Sequence, residues 1–157
     1  VWYNRSLTLH PEKETTMPHD AYIAGPLFNE GERWFNEQID SVAQRVGLCT
    51  FLPQRDGTGP VTSHADAYRV FHEDQQAVDD CRIVIANLNG VALDDGTCWE
   101  IGYAYARGKH LVGIHTDWRL HFTHETVNLM IECSLHKLIR SLEELEAYLR
   151  GYAGSAP

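Results

Sequence analysis

One glutamate, Glu100, stands where a strand, a polar loop and the start of a helix meet, in the stretch DDCRIVIANLNGVALDDGTCWEIGYAYARGK over residues 79–109. Ile83-Val84-Ile85-Ala86 has the length and β-branched character of a fully buried strand. A loop with Asn87, Asn89, Gly90 and two aspartates follows, and from Thr97 onward Ile101, Ala104 and Tyr105 fall on one helical face that Gly108 ends. Glu100 is therefore expected in the first turn of a helix at the edge of a sheet, where open α/β sheets bind ligands. Two readings of it compete. Thr97-Cys98-Trp99-Glu100 matches a capping box, in which the glutamate bonds back to the Thr97 amide. The same position suits an ionised carboxylate, because the helix dipole favours negative charge there, and such a carboxylate can act as a nucleophile.

A second acid is marked by its place in a pattern. Ser63 can cap a helix, with Asp66 at the matching capping-box distance, whose apolar face runs Ala67, Val70, Phe71, Ala77, Val78, Cys81. Asp74 falls on the same stripe, four after Val70 and four before Val78. Burying an unpaired carboxylate costs on the order of several kcal/mol. Either the stripe runs out at a sheet edge and Asp74 reaches water, or the acid is held there for chemistry.

The elements that must position these acids alternate along the chain. Ala21-Tyr22-Ile23-Ala24-Gly25-Pro26 reads as a buried strand ending in a turn, with Leu27 and Phe28 in the loop beyond. A helix follows with Phe35, Ile39, Val42 and Val46 on one face and Gly47 at its end. Residues 48–52 form a second strand, and residues 53–60 a long turn-rich loop of the kind that often carries function. Leu111-Val112-Gly113-Ile114 is a fourth strand, residues 116–126 a polar loop, and residues 127–131 a short helical or irregular segment. Residues 135–139 make a fifth, edge strand, and Ser141 with Glu144 starts a last helix carrying Leu145, Tyr148 and Leu149. Strands alternating with helices predict a flavodoxin-like three-layer α/β sandwich. Its five-stranded sheet is expected to be parallel, its edge parallel or mixed, in the order 2-1-3-4-5, with the site above strands 1 and 3.

At 157 residues the chain suits one domain, and 43% hydrophobic content suits a globular one. The net charge of −9, with no basic cluster, argues against nucleic acid or an anionic membrane as partner, while leaving neutral bases and nucleosides free to approach. Cys49, Cys81, Cys98 and Cys133 form no C-x-x-C pair and each has apolar neighbours, so they are read as reduced core thiols of a cytoplasmic protein. Nine histidines include only His121 and His124 at close spacing, in a polar segment, which predicts a surface role and no metal site. No secretory signal, membrane span, G-x-G-x-x-G, Walker or G-x-S-x-G sequence is present. The expected organisation is an arm over residues 1–16, one domain over 17–152 and a tail over 153–157. Trp2, Tyr3 and Leu9 of the arm could dock on the body or on a neighbouring subunit, and Met17-Pro18 resembles a natural start.

Three segments in order, Tyr22-Ile23-Ala24-Gly25-Pro26-Leu27-Phe28, then D-D-G-T-C-W-E-I-G-Y-A over residues 94–104, and Val127-Asn128-Leu129-Met130, resemble the nucleoside 2-deoxyribosyltransferase family across roughly residues 21–148. The resemblance implies that Glu100 attacks C1′ of a 2′-deoxynucleoside and expels the base. A second base would then attack the deoxyribosyl-glutamyl ester, giving net retention through an oxocarbenium-like transition state. It implies that Tyr22 positions Glu100, that Asp74 protonates the leaving base, and that Phe28 packs on the base. Asp94 would bind the sugar 5′-hydroxyl. Asn128 and Met130 would close over a neighbouring subunit's site in an obligate homo-oligomer. Gly25 and Asp56 complete the expected substrate-binding set.

Related hydrolases of nucleoside 5′-monophosphates tend to carry serine where Asp94 stands. A carboxylate there would repel a phosphate by about 1–4 kcal/mol, which favours a free nucleoside. The Gln54-Arg55-Asp56 loop departs from the better-known members, so the choice between purines alone and both base classes stays open. No cofactor is implied, since the glutamate needs none. Three functions are thus in play: base exchange between deoxynucleosides, N-glycoside hydrolysis of nucleosides or nucleotides on the same fold, and a non-catalytic nucleotide-binding module.

Overall fold

The alternation of strand and helix closes into one sheet. The computed structural model describes residues 19–118 and 127–155. Strands β1 (Ala21–Ala24), β2 (Thr50–Phe51), β3 (Ile83–Asn87), β4 (His110–Ile114) and β5 (Lys137–Ile139) lie in the order β2-β1-β3-β4-β5, and every pairing is parallel, including the β5 edge. The helices are α1 (Glu30–Arg45), α2 (Pro53–Asp56), α3 (His64–Asp79), α4 (Asp95–Ala106), α5 (Leu129–Glu132) and α6 (Leu142–Ser155).

The two-residue period of a strand sorts the core into two halves. Ala21 and Ile23 of β1, with Ile83 and Ile85 of β3, face Ile39 and Val42 of α1 and Leu145 and Leu149 of α6. Tyr22 and Ala24, with Val84 and Ala86, face Ala77 and Val78 of α3 and Ile101 and Ala104 of α4. Both faces of the sheet are covered, which is why β1 and β3 read as continuous apolar runs.

Several expectations change in detail. Helix α4 begins two residues before Thr97, because the Asp94 carboxylate caps it, accepting from both the Thr97 amide (2.8 Å) and the Thr97 hydroxyl (2.9 Å). Thr97 is therefore inside the helix, and Glu100 sits in its second turn, released from any capping box. Tyr105 leaves the buried face and is 61% exposed. The apolar stripe is buried at Ala77, Val78 and, just past the end of α3, Cys81, while Ala67 and Phe71 are exposed. None of the four cysteines is in a disulfide, but only Cys81 is in the core; Cys49 precedes an edge strand and Cys133 ends a one-turn helix, and both are exposed. The turn-rich loop after β2 contains the short helix α2, and α6 runs past residue 152. Residues 1–16, Met17-Pro18, His121 and His124 lie outside the described residues. No helix among the described residues is long and apolar enough to cross a membrane.

Candidate active site

Tyr22 is the second residue of β1, so its ring must enter the α3–α4 layer, where it is fully buried. Phe51, its partner across the β1–β2 ladder, stacks on it with centroids 5.7 Å apart and planes 9° from parallel. Held this way, the Tyr22 hydroxyl donates to Glu100 Oε1 at 2.6 Å. The bond favours the ionised form of the carboxyl.

The electrostatics around this pair are unusual. Burial pushes the Glu100 carboxyl up to about 8; the Tyr22 bond opposes the rise, and the neighbouring Asp74 and Asp94 charges add to it. Burial also raises Asp74 to about 6, with help from Glu73. Tyr22 itself is raised well above its ordinary value, chiefly by burial and then by Glu100 and Asp74. Two acids, Glu100 and Asp74, thus crowd one tyrosine in a setting that disfavours holding both ionised. Two neighbouring carboxyls of raised proton affinity can between them supply a nucleophile and a proton donor, the pair that displacement at a glycosidic carbon requires.

The loop after β1 is clamped by α1. Asn29 caps that helix in a capping box with Glu32, and the Glu32 carboxylate also accepts from the Phe28 amide at 2.8 Å. Arg33 donates to the Leu27 carbonyl at 2.9 Å, and the buried Asn36 to the Pro26 carbonyl at 2.8 Å. The Phe28 ring, on a fixed backbone, is 76% exposed. Gly25 is forced by close approach: a Cβ there would lie 2.5 Å from Asn36 Oδ1 and 2.9 Å from Asn87 Cβ.

Of the residues singled out from the sequence, Tyr22, Asp74, Asp94 and Glu100 converge, and Gly25 and Phe28 stand on the loop beside them. Asp56 points elsewhere: its carboxylate accepts from the Leu52 amide (2.8 Å) and from Arg55 (2.7 and 2.8 Å), on the rim of a separate groove of about 520 Å³ with Phe51, Thr58 and Arg69. Asn128 caps α5 by accepting from the Met130 amide. Met130 lines a groove of about 380 Å³ with Cys98, Ile101, Gly102 and Tyr105. By helical periodicity those α4 positions lie roughly 100–200° around the helix from Glu100, so within one chain Met130 faces away from the Glu100 side of α4.

Sequence reading missed Phe51, Asn36 and the pair Asp40 and Arg55. Asp40 is buried on α1, bonded to Arg55 at 2.8 Å, Gln44 at 2.9 Å and the Thr50 hydroxyl, and so anchors the β2–α2 loop. Asn36 and Asp40, four apart and next to the Phe35 and Ile39 stripe, were the available signal.

Comparisons with known proteins bear on the family and the fold. The family model of nucleoside 2-deoxyribosyltransferase matches residues 21–135. A 2-deoxyribosyltransferase from the psychrotolerant bacterium Bacillus psychrosaccharolyticus superposes with a TM-score of 0.71 at 27% identity, covering 83% of this chain and 95% of that one. A conserved protein from Enterococcus faecalis V583 superposes at 0.73 with 22% identity, over 85% and 98% of the two chains. A CMP N-glycosidase from Clostridium botulinum superposes at 0.53 with 20% identity, over 87% and 99%. No curated protein matched in a sequence search. With its α/β sheet in the order 2-1-3-4-5 and a family match over most of its length, this chain belongs to the nucleoside 2-deoxyribosyltransferase family.

Proposed function

We propose that the protein exchanges the base of 2′-deoxyribonucleosides by double displacement. The observation that carries this reading is the 2.6 Å bond from buried Tyr22 to Glu100, with Asp74 close enough to raise the carboxyl it faces. In the first step a Glu100 oxygen bonds to C1′ while the C1′–N bond breaks. Its electron pair leaves with the base, which takes a proton from Asp74. In the second step a nitrogen of the acceptor base attacks C1′, the ester C1′–O bond breaks to return the Glu100 carboxylate, and Asp74 recovers a proton from the base. Phe28 packs on the base, Asp94 receives the 5′-hydroxyl through an oxygen its cap leaves available, and Gly25 shapes the base side, while Asp56 holds the β2–α2 loop.

We assign Asn128 and Met130 to a neighbouring subunit's site in a homo-oligomer. Leu129, Met130 and Tyr105 are 60%, 72% and 61% exposed, an apolar surface suited to cover by a second copy. Four cysteines outside any disulfide suit the cytoplasm. Hydrolysis is the second reading, favoured by the fold likeness to a CMP N-glycosidase, with water taking the acceptor's place.

The deciding experiment is chromatography of products from 2′-deoxyinosine plus adenine, with wild type and Glu100→Ala. Deoxyadenosine formed by wild type alone is the expected result. Free deoxyribose and hypoxanthine despite abundant adenine would move the protein to the hydrolases, and full activity in Glu100→Ala would overturn the nucleophile.

A further inference from the structure

Two buried amides beneath the site have no part in the chemistry described above. Asn36 of α1 and Asn87 at the end of β3 are each 2% exposed. An asparagine inside a helix and another at the end of a buried strand are both poor choices for stability, since apolar residues would fill these positions without polar groups to satisfy. Here the amides satisfy one another in series. Asn89 N–H donates to Asn87 Oδ1 (3.1 Å), Asn87 Nδ2 donates to Asn36 Oδ1 (2.8 Å), and Asn36 Nδ2 donates to the Pro26 carbonyl (2.8 Å), with Gln54 Oε1 at 3.5 Å.

Each end of this chain of bonds leads to a different loop. Pro26 belongs to the β1–α1 loop that carries Phe28, Gln54 to α2 after β2, and Asn89 to the β3–α4 loop that leads to Asp94. The Gly25 backbone rests directly on the pair, which is why that residue has no room for a Cβ. The other ties on the β1–α1 loop, from Glu32 and Arg33, are exposed bonds to α1 alone. Among the described residues, the Asn36–Asn87 bond is the side-chain link that joins that loop to β3, which pairs with the β1 strand of Tyr22 and packs against the α4 helix of Glu100. The Phe28 ring is 76% exposed, so its distance from Glu100 depends on where its backbone is held.

We propose that Asn36 and Asn87 form an amide relay that sets the substrate loops against the nucleophile. They would then be positioning residues that govern substrate affinity in the reaction proposed above, on which this inference rests. Their effect is distinct from that of Tyr22 or Asp74, because the relay touches no reacting atom.

The test is steady-state base exchange by Asn36→Ala, Asn87→Ala and the double variant. Asn36→Ala should raise KM for the deoxynucleoside about tenfold or more, since misplacement on the ångström scale is costly, while kcat at saturation stays within about threefold. The limbs of the pH profile should not move. Because the bonds act in series, the double variant should be no worse than Asn36→Ala. An unchanged KM, a fall in kcat with KM unchanged, or additive effects of the two substitutions would overturn the relay. Should Asn36→Ala lose cooperative thermal unfolding, Asn87→Ala keeps the Pro26 bond and carries the same prediction at about threefold. Amide hydrogen exchange at Phe28 and Asn89 reads the relay without any substrate. Both should exchange about tenfold faster in Asn36→Ala. Unchanged exchange sinks the relay even in an inactive enzyme, whereas an inactive wild type with accelerated exchange in the variant sinks only the proposed reaction.

Discussion

The Tyr22 hydroxyl lies 2.6 Å from Glu100 Oε1, on a ring pinned by Phe51, so the position of the α4 carboxylate is set by a side chain from a neighbouring strand. The two residues are far apart in the chain and meet because β1 and α4 are adjacent across one face of the sheet. Removing the hydroxyl should leave the fold intact and free the carboxylate to rotate. Tyr22→Phe is expected to lower kcat by about ten- to a hundredfold, the scale of one lost orienting donor. It should also shift the ionisation of Glu100 upward, because the bond that opposes its raised value is gone. A pH–rate profile of the variant checks both, and an unaltered profile would remove Tyr22 from its positioning role.

The pH dependence of the wild type follows from the two acids. The proposed reaction needs Glu100 ionised and Asp74 protonated, the reverse of what values of about 8 and about 6 favour. About one free enzyme in a hundred would hold that arrangement, and kcat/KM should be bell-shaped with an apex near pH 7, its limbs belonging to the pair. In Asp74→Asn the falling limb should vanish and a lower activity should climb to a plateau as Glu100 ionises. A variant that keeps the bell would exclude Asp74 as the proton donor.

Stability should carry the opposite signature. Between the ordinary glutamate range and about 8, the folded chain keeps a proton on Glu100 that the unfolded chain has released, so stability falls as pH rises through that window. Asp74 adds the same trend up to about 6. Glu100→Gln, neutral in both states, should melt with wild type near pH 4.5 and higher by on the order of 5 °C at pH 8.5. Thermal melts across pH decide this, and equal melting temperatures at both ends would show that Glu100 is not held protonated by the fold.

Asp94 has two separable duties, one observed and one proposed. As the cap of α4 it bonds the Thr97 amide and hydroxyl. As a carboxylate at the sugar's 5′ end it would exclude phosphate. Asp94→Ser keeps a good cap and drops the charge, whereas Asp94→Ala also loses about 1 kcal/mol of stability. The serine variant should raise kcat/KM for deoxynucleoside 5′-monophosphates relative to deoxynucleosides by about tenfold. If competition assays with both substrates show an unchanged ratio, the acid does not select the 5′ group.

Much of this molecule is legible along the chain. The apolar runs of β1, β3 and β4 are continuous because both faces of those strands are covered, and the intervening helical periods leave few topologies open. Glu100 and Asp74 were marked by a loop–helix junction and by an acid on an apolar stripe. Misreadings were local ones. Of the two readings open to Glu100 the capping box falls away because Asp94 caps the helix, and two of the four cysteines with apolar neighbours lie on the surface.

Local signals decide which segments become strand or helix, because hydrophobic period, caps and turn residues act over a few neighbours, and so the order of elements and the identity of the candidate acids belong to the sequence alone. The register that stacks Phe51 on Tyr22, the burial that lifts Glu100 to about 8, and the joining of Asn36 to Asn87 belong to the tertiary structure. Each depends on distances between residues remote in the chain and on how much water their packing excludes, and neither quantity is written in any short stretch of residues.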